Sequence, residues 1–480
     1  MHQQSGAVWA RPKAGADRFV LLAGLTATLL LGGCNGSRTV TTAPPPQAGV
    51  TLRVVVPAGP ARTLVDRLGQ AWANDAGAKL EIVAPAGDWP AGDVFLLPAA
   101  DMPRWAAAGK ATPLPKPEAI DAFMPLYRTR LLSWAGTAYA LPVLGDAPIY
   151  VYRRDLDADA AARQAYQEKY HHPLAPPETW GEFADQADFF AARRARPSLP
   201  PLPADDAGLC AVYESVAAPF VVRAVNAVAD RSGARSAEAF SFQYHVDSGQ
   251  PRLSEPGFVE ALALLKRMQP HRATTATAAE AMKSDQVALA AIRLADLAAA
   301  GPDEARRWGV FRPPGNRSAG AARPANVVPF LGAGAVVGIV PAGSANADAA
   351  FDLLTFLSGP TASTEVVHSP AYGGGPFRDM HVDPQHELGW LSYGLDDKQT
   401  ALLRTILREV ADPRVDNPAI VLRIPERSSH VAALATAIRA ALAGSDPAAA
   451  LQTAADQWRK LDGDPAKART NYRLSVGLQP

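Results

Sequence analysis

Asp155, Asp157 and Asp159 stand at alternate positions and begin like a calcium loop, in which oxygen ligands at every second residue wrap a hard cation. The loop then departs from that pattern, because Ala160 replaces its turn glycine and Tyr166 stands where the bidentate glutamate belongs. A solvated acidic helix start is the better reading. His171-His172 could hold a metal only with distant partners, and a surface loop before Pro173 accounts for them more simply. Gly332-Ala333-Gly334 followed by Gly338 has one residue too many for the dinucleotide pattern G-x-G-x-x-G. No G-x-S-x-G, H-E-x-x-H or P-loop occurs, so no enzyme chemistry, metal or cofactor is expected.

The two cysteines, Cys34 and Cys210, offer neither a disulfide framework nor a thiolate zinc site. Cys34 has another use. Arg11, Lys13 and Arg18 precede the apolar run Phe19 to Leu31, which has the form of an export signal and is short for a membrane span. Leu31-Gly32-Gly33-Cys34 then resembles a bacterial lipobox, in which small residues let the peptidase reach the backbone and the cysteine is acylated. Residues 1–33 are therefore expected to be a lipoprotein signal peptide, with Cys34 the lipidated residue that holds the protein at a membrane. Residues 34–49, with Pro44-Pro45-Pro46, read as a flexible tether.

What must be positioned beyond the tether is large. With 480 residues, 48% of them apolar, the chain can build more than one core. Lysine plus arginine (47) equals aspartate plus glutamate (47), leaving no basic excess to neutralise a phosphate backbone, so nucleic acid is excluded as a partner. Residues 52–56 read as a β-branched strand, 63–73 as a helix with Leu64, Val65, Leu68 and Trp72 on one face, and 80–83 and 93–97 as further strands. This is the start of an open, mostly parallel α/β sheet, whose ligand loops would follow the strands at Pro57 to Pro60, Asp88-Trp89 and Pro98 to Met102. Asp446, a plausible N-cap before Pro447, separates helices predicted over 429–443 and 447–461.

A family pattern runs through the middle of the chain. Gly136-Thr137-Ala138-Tyr139-Ala140-Leu141-Pro142-Val143, followed by Tyr150-Val151-Tyr152-Arg153-Arg154-Asp155-Leu156, resembles the "G-x-x-Y-A-x-P-V" and "Y-Y-x-x-D-L" segments of family 1 extracellular solute-binding proteins. Pro176-Pro177-Glu178-Thr179-Trp180-Gly181-Glu182-Phe183 is similar to their "P-P-x-T-W-x-E-F". Pro329 to Gly334, Ala349 to Leu357 and Gly375-Pro376-Phe377-Arg378 follow in the family's order. Two elements depart: the "aromatic-x-x-G" expected near Met282 to Asp285 lacks both the aromatic and the glycine, and "Y-N-K-D-L" appears as Tyr152-Arg153-Arg154-Asp155-Leu156.

The resemblance implies a type II periplasmic-binding-protein fold: two α/β lobes joined by a multi-crossing hinge, with C-terminal helices. It places the N-terminal lobe at 50–145 plus about 335–375, the C-terminal lobe at about 146–334 plus 376–465, and a tail at 466–480. Hinge crossings are expected near Gly145 to Ile149, Val340 to Ser344 and Tyr372 to Arg378, where glycine and proline cluster. The implied function is that of a monomeric solute receptor of an ABC importer, handing a sugar or similar polar molecule to permease subunits. A sensing or scaffold module with the same fold is the alternative.

Sugars are recognised by flat rings against the pyranose face and by carboxylates, amides and arginines at its hydroxyls. Asp146 matches the position of a cleft carboxylate in maltodextrin-type members and lies just before the strand carrying Tyr150; its other reading is a turn aspartate in the hinge. Trp72, Trp180 and Trp458 read as core residues, whereas Trp89, beside Asp88 in a strand-end loop, either faces the cleft or covers the loop. Tyr213, Glu214 and Phe330 lie where the family's C-terminal lobe contributes to the site, and Arg378 lies in the last crossing. Each is either a ligand contact or a structural anchor.

Overall fold

The computed structural model describes residues 45–222, 240–317, 326–410 and 417–480. The signal segment, Cys34 and most of the expected tether lie outside the described residues. Residues 45–49 are not extended: they turn back on the following helix, with the Gln47 amide donating to the Ala76 carbonyl at 2.9 Å. Among the described residues no helix is long and apolar enough to cross a membrane.

The first sheet is built from β1 (Thr51–Val55), β2 (Lys79–Val83) and β3 (Val94–Pro98), which run parallel. The helical stretch 60–76 crosses between β1 and β2 and turns Leu64, Val65 and Trp72 into the core, where the indole also donates to Asp352 at 3.1 Å. A small hairpin, β4 (Ser133–Trp134) and β5 (Thr137–Ala138), leads into β6 (Ala140–Leu144), whose five buried residues mark a strand covered on both faces. β7 (Pro148–Arg153) follows at once in the second lobe, flanked by β8 (Leu289–Arg293) and β9 (Trp308–Phe311), both antiparallel to it. β10 (Val336–Ile339) returns to the first sheet and inserts antiparallel between β3 and β6, giving the order β2-β1-β3-β10-β6. The mostly parallel sheet expected from the sequence therefore carries one strand that arrives from the opposite lobe.

Helix 180–194 packs on β8, and helices 206–221, 256–268, 427–442 and 447–462 pack on one another and share one core with Tyr150, Leu289 and Phe311 of the second sheet. Helix 180–194 is opened by a capping box in which Thr179 Oγ1 accepts from the Glu182 amide and the Glu182 carboxylate accepts from the Thr179 amide. Asp446 caps helix 447–462 through the Ala449 amide, as expected, and Trp458 is buried with its indole donating to the His430 carbonyl. The expected tail is a third C-terminal helix, Pro465–Ser475, capped by Asp464 and anchored by Tyr472, whose hydroxyl accepts from the Phe242 amide at 2.8 Å. Asp464-Pro465 repeats the signal of Asp446-Pro447, so this helix was marked in the sequence by the same chemistry.

Of the three expected crossings, Gly145 to Ile149 leads from β6 of the first sheet into β7 of the second, whereas Tyr372 to Arg378 meets it at the hinge and then packs again on the first lobe, the Phe377 carbonyl accepting from the Met124 amide and Arg378 bridging to Phe123. At the first and last, Gly145 and Gly375 form a backbone bridge, the Gly375 amide donating to the Gly145 carbonyl at 2.9 Å. A Cβ on either glycine would overlap the opposing backbone, which explains why both strands carry glycine there. Val340 to Ser344 is not a crossing: it pairs with residues 110–112 of the first lobe and feeds helix 347–358 beside β6. The crossing lies upstream, between Leu331, whose amide donates to Ala419, and Ala335, whose carbonyl accepts from Ala99. Glycine clusters at both ends of β10, and composition alone does not say which end changes lobes.

Segment 417–424 adds a further connection. Arg423 is wholly buried, and its guanidinium reaches the carbonyls of Ala99, Leu131, Ser133 and Ser475 at 3.2 to 3.4 Å. Burial pushes its pKa down to about 9.

Candidate ligand-binding site

β7 and β8 pair so that Pro148 lies opposite Arg293, which brings the start of one strand and the end of the other to the hinge. Asp146, two residues before β7, is 5% exposed through its side chain and forms an ion pair with Arg293. Its amide donates to the Tyr127 hydroxyl at 2.9 Å, and the Asp296 carboxylate accepts from the Arg293 amide at 2.9 Å. Burial lowers the Arg293 pKa, but attraction to Asp146 and their hydrogen bond outweigh it and raise the net value. Burial, and then the Asp146 charge, push the Tyr150 phenol upwards, so Tyr150 stays a neutral donor. Gly334, on the return segment, lies against this pair, and a Cβ there would overlap both the guanidinium and the carboxylate.

From this polar end a cavity of about 410 Å³ extends into the second lobe. Its walls are Tyr150, Trp180, Phe183 and Phe330, the segment from Leu199 to Ala204, and the face of helix 206–221 that carries Ala211, Val212 and Ser215. Pro200, Pro201 and Pro203 present an apolar wall with no amide N–H to satisfy. Arg272 lies in the same wall, its Nη1 donating to the Pro200 carbonyl at 3.0 Å. Rings, a carboxylate and guanidinium groups thus surround a space of small-ligand size.

The structure brings together three of the residues singled out from sequence: Asp146, Tyr150 and Phe330. The others lie elsewhere. Trp89 packs edge-on against Trp105, with Arg104 and Lys110 4.4 and 4.0 Å from its ring, and Asp88 pairs with Arg104 at 3.2 Å. Tyr213 is buried on the opposite face of its helix and donates to the Phe258 carbonyl at 2.9 Å. Glu214, beside it, accepts from Gln243 Nε2 at 2.9 Å, and burial raises its pKa to about 7. Arg378 donates twice to the Ser358 carbonyl and lies 4.5 Å over the Phe123 ring, an anchor in the first lobe. Trp180 is both things at once, 2% exposed and part of the cavity wall.

Arg293, Arg272 and Gly334 were not singled out from the sequence. Arg293 ends the apolar strand Leu289-Ala290-Ala291-Ile292, and a charge at a strand end beside a hinge was the available signal. Asp285 shows what the family departure means: it holds the left-handed conformation, with φ 57°, that the pattern gives to glycine. Its carboxylate is surrounded by Arg153, Arg194, Arg196 and Arg307.

Comparison with known proteins agrees with this architecture. A family model described as bacterial extracellular solute-binding protein matches residues 65–385. Maltose-bound MalE3 of T. maritima is similar in fold at 16% identity, with 86% of this chain and 100% of that chain covered and a TM-score of 0.64. The GacH receptor of Streptomyces glaucescens, solved unliganded and with acarbose, gives 16%, 86%, 98% and 0.63. A ribitol-bound ABC transporter solute-binding protein from Agrobacterium radiobacter gives 17%, 87%, 100% and 0.62. No curated protein sequence matches the chain. With its family pattern, its two lobes and its hinge-side cavity, the chain belongs to the bacterial extracellular solute-binding protein family.

Proposed function

We propose that this protein is the solute receptor of an ABC importer, exported and lipid-anchored through Cys34, and that it takes a sugar or polyol-like solute into the cavity beside Asp146. The observation that carries this reading is the cavity itself: Tyr150, Trp180 and Phe330 supply rings, and the Asp146–Arg293 pair supplies polar groups at the hinge. The similar structures described with maltose or ribitol support the ligand class. A solute held there sits in the second lobe beside the hinge, and closure of the first lobe over it would favour the closed state.

A thermal-shift screen against sugars and polyols tests the reading, because a ligand at a hundredfold excess over its Kd stabilises by about 2.7 kcal/mol. Small-angle scattering with the best binder should show compaction, and confirmed binding with an unchanged radius of gyration would contradict hinge closure. Anchoring is tested separately. Cys34→Ser should release the protein from membranes, and retention after a carbonate wash would rule out the lipid anchor.

A further inference from the structure

Arg272 is the one cation of the cavity wall without a counter-charge among the described residues. Arg293 is neutralised by Asp146. Asp296 accepts from the Arg293 amide at the start of helix 294–300, and Asp205 caps helix 206–221 through the Gly208 amide, so both carboxylates are engaged at helix starts. The Arg272 guanidinium instead makes one hydrogen bond, to the Pro200 carbonyl, and its Nε is buried with no hydrogen-bond partner. Trp180 Nε1, in the same wall, is also buried without a partner. Burial alone pushes the Arg272 pKa down, to about 10, so the group remains a cation at neutral pH.

An unpaired guanidinium in an apolar wall is costly to keep, and a planar fork of donors is the natural complement of a carboxylate. We infer that the cavity selects a carboxylated solute, such as a sugar acid, whose carboxylate is bound by Arg272 while its hydroxyls lie towards the Asp146–Arg293 end. This rests on the reading of the cavity as the solute site. It separates this protein from the similar structures described with maltose and ribitol, which are neutral. Arg272 is then a specificity-determining residue: it contributes little to a neutral sugar and much to the corresponding acid.

Calorimetric titration of the full-length protein with three matched pairs tests this: glucuronate against glucose, galacturonate against galactose, and gluconate against sorbitol. At least one acid should bind about tenfold or more tighter than its neutral partner. Arg272→Gln should bring that pair to within about threefold, chiefly by weakening the acid. The variant removes an unpaired buried charge and should fold, with an unchanged or higher Tm. Arg272→Lys, which keeps the charge and loses the fork, should retain part of the preference. Binding of neutral members with no acid tighter than its partner in any pair overturns the inference while leaving the sugar-receptor reading intact. Binding of no member of any pair overturns both, and an acid preference that survives in Arg272→Gln assigns the selectivity to another group.

Discussion

Asp146 and Arg293, separated by 147 positions in the chain, are held together by the pairing of β7 with β8 and form the charged floor of the cavity at the hinge. This relationship changes what Asp146 can do. A free cleft carboxylate would offer all its lone pairs to ligand hydroxyls, whereas Asp146 spends part of its capacity on Arg293 and orients that guanidinium. The two residues are expected to act as one polar unit.

Asp146→Ala should therefore lower both affinity and stability. Removing the carboxylate leaves Arg293 without its partner, which costs about 1 to 2 kcal/mol because that guanidinium is still reached by water. Affinity should fall by roughly one to two orders of magnitude. Asp146→Ala combined with Arg293→Met should regain the stability and not the binding. Melting curves and titration on the same preparations check this, and restored binding in the double variant would remove the pair from the site.

Gly334 should tolerate no side chain. The Cβ of Gly334→Ala would occupy the space of the Arg293 guanidinium, so the pair must move or the return segment must shift. Binding should drop by about tenfold or more, with a stability loss of about 1 to 3 kcal/mol, the usual scale for overpacking. Titration and melting of Gly334→Ala decide it. Wild-type affinity would show that the pair is free to rearrange.

Glu214 should make stability depend on pH. Its pKa rises from 4.5 to about 7 on folding, so the native state holds a proton that the unfolded chain has released. The resulting stability is fully present below pH 4.5 and is lost as pH rises towards 7, amounting to of order 3 kcal/mol at most. Glu214→Gln keeps the shape, removes the titration and should be the more stable protein at pH 8. Urea melts of both proteins at pH 5 and pH 8 provide the check. Parallel losses in the two would assign the dependence to other groups.

The first sheet and the C-terminal helix pair were legible because periodicity and caps act locally. Leu52 and Val54 alternate with exposed neighbours, and Asp446 and Thr179 carry cap chemistry within four residues. The cavity was legible only in part. Asp146, Tyr150 and Phe330 belong to segments with a recognisable pattern, but which face of a helix meets a cavity depends on its neighbours. Tyr213 and Glu214 lie on the core face of helix 206–221, and Ala211, Val212 and Ser215 on the cavity face, although all five fall within one and a half turns. Arg272 and Arg293 meet at the cavity only through the folded arrangement of the second lobe, which no local spacing encodes.

Arg423 should prove to be an interlobe tie. It is held by carbonyls alone: Ala99, Leu131 and Ser133 belong to the first lobe, and Ser475 ends the last helix. Arg427 adds an ion pair to Asp101 at 3.0 Å, and Arg130 donates to the Asn417 carbonyl, so segment 417–427 is bound to the first lobe at several points. In Arg423→Met the apolar stem is retained and four carbonyls lose a donor, while the desolvation cost of a buried charge is relieved. The loss of hydrogen bonds should prevail, because each buried carbonyl left unsatisfied costs about 1 to 3 kcal/mol. A net loss of about 2 to 4 kcal/mol is expected, together with a larger radius of gyration in the ligand-free protein. Denaturant melts and small-angle scattering of the variant measure the two effects. An unchanged radius with reduced stability would confine Arg423 to packing, whereas unchanged stability would mean that water replaces the guanidinium at no cost.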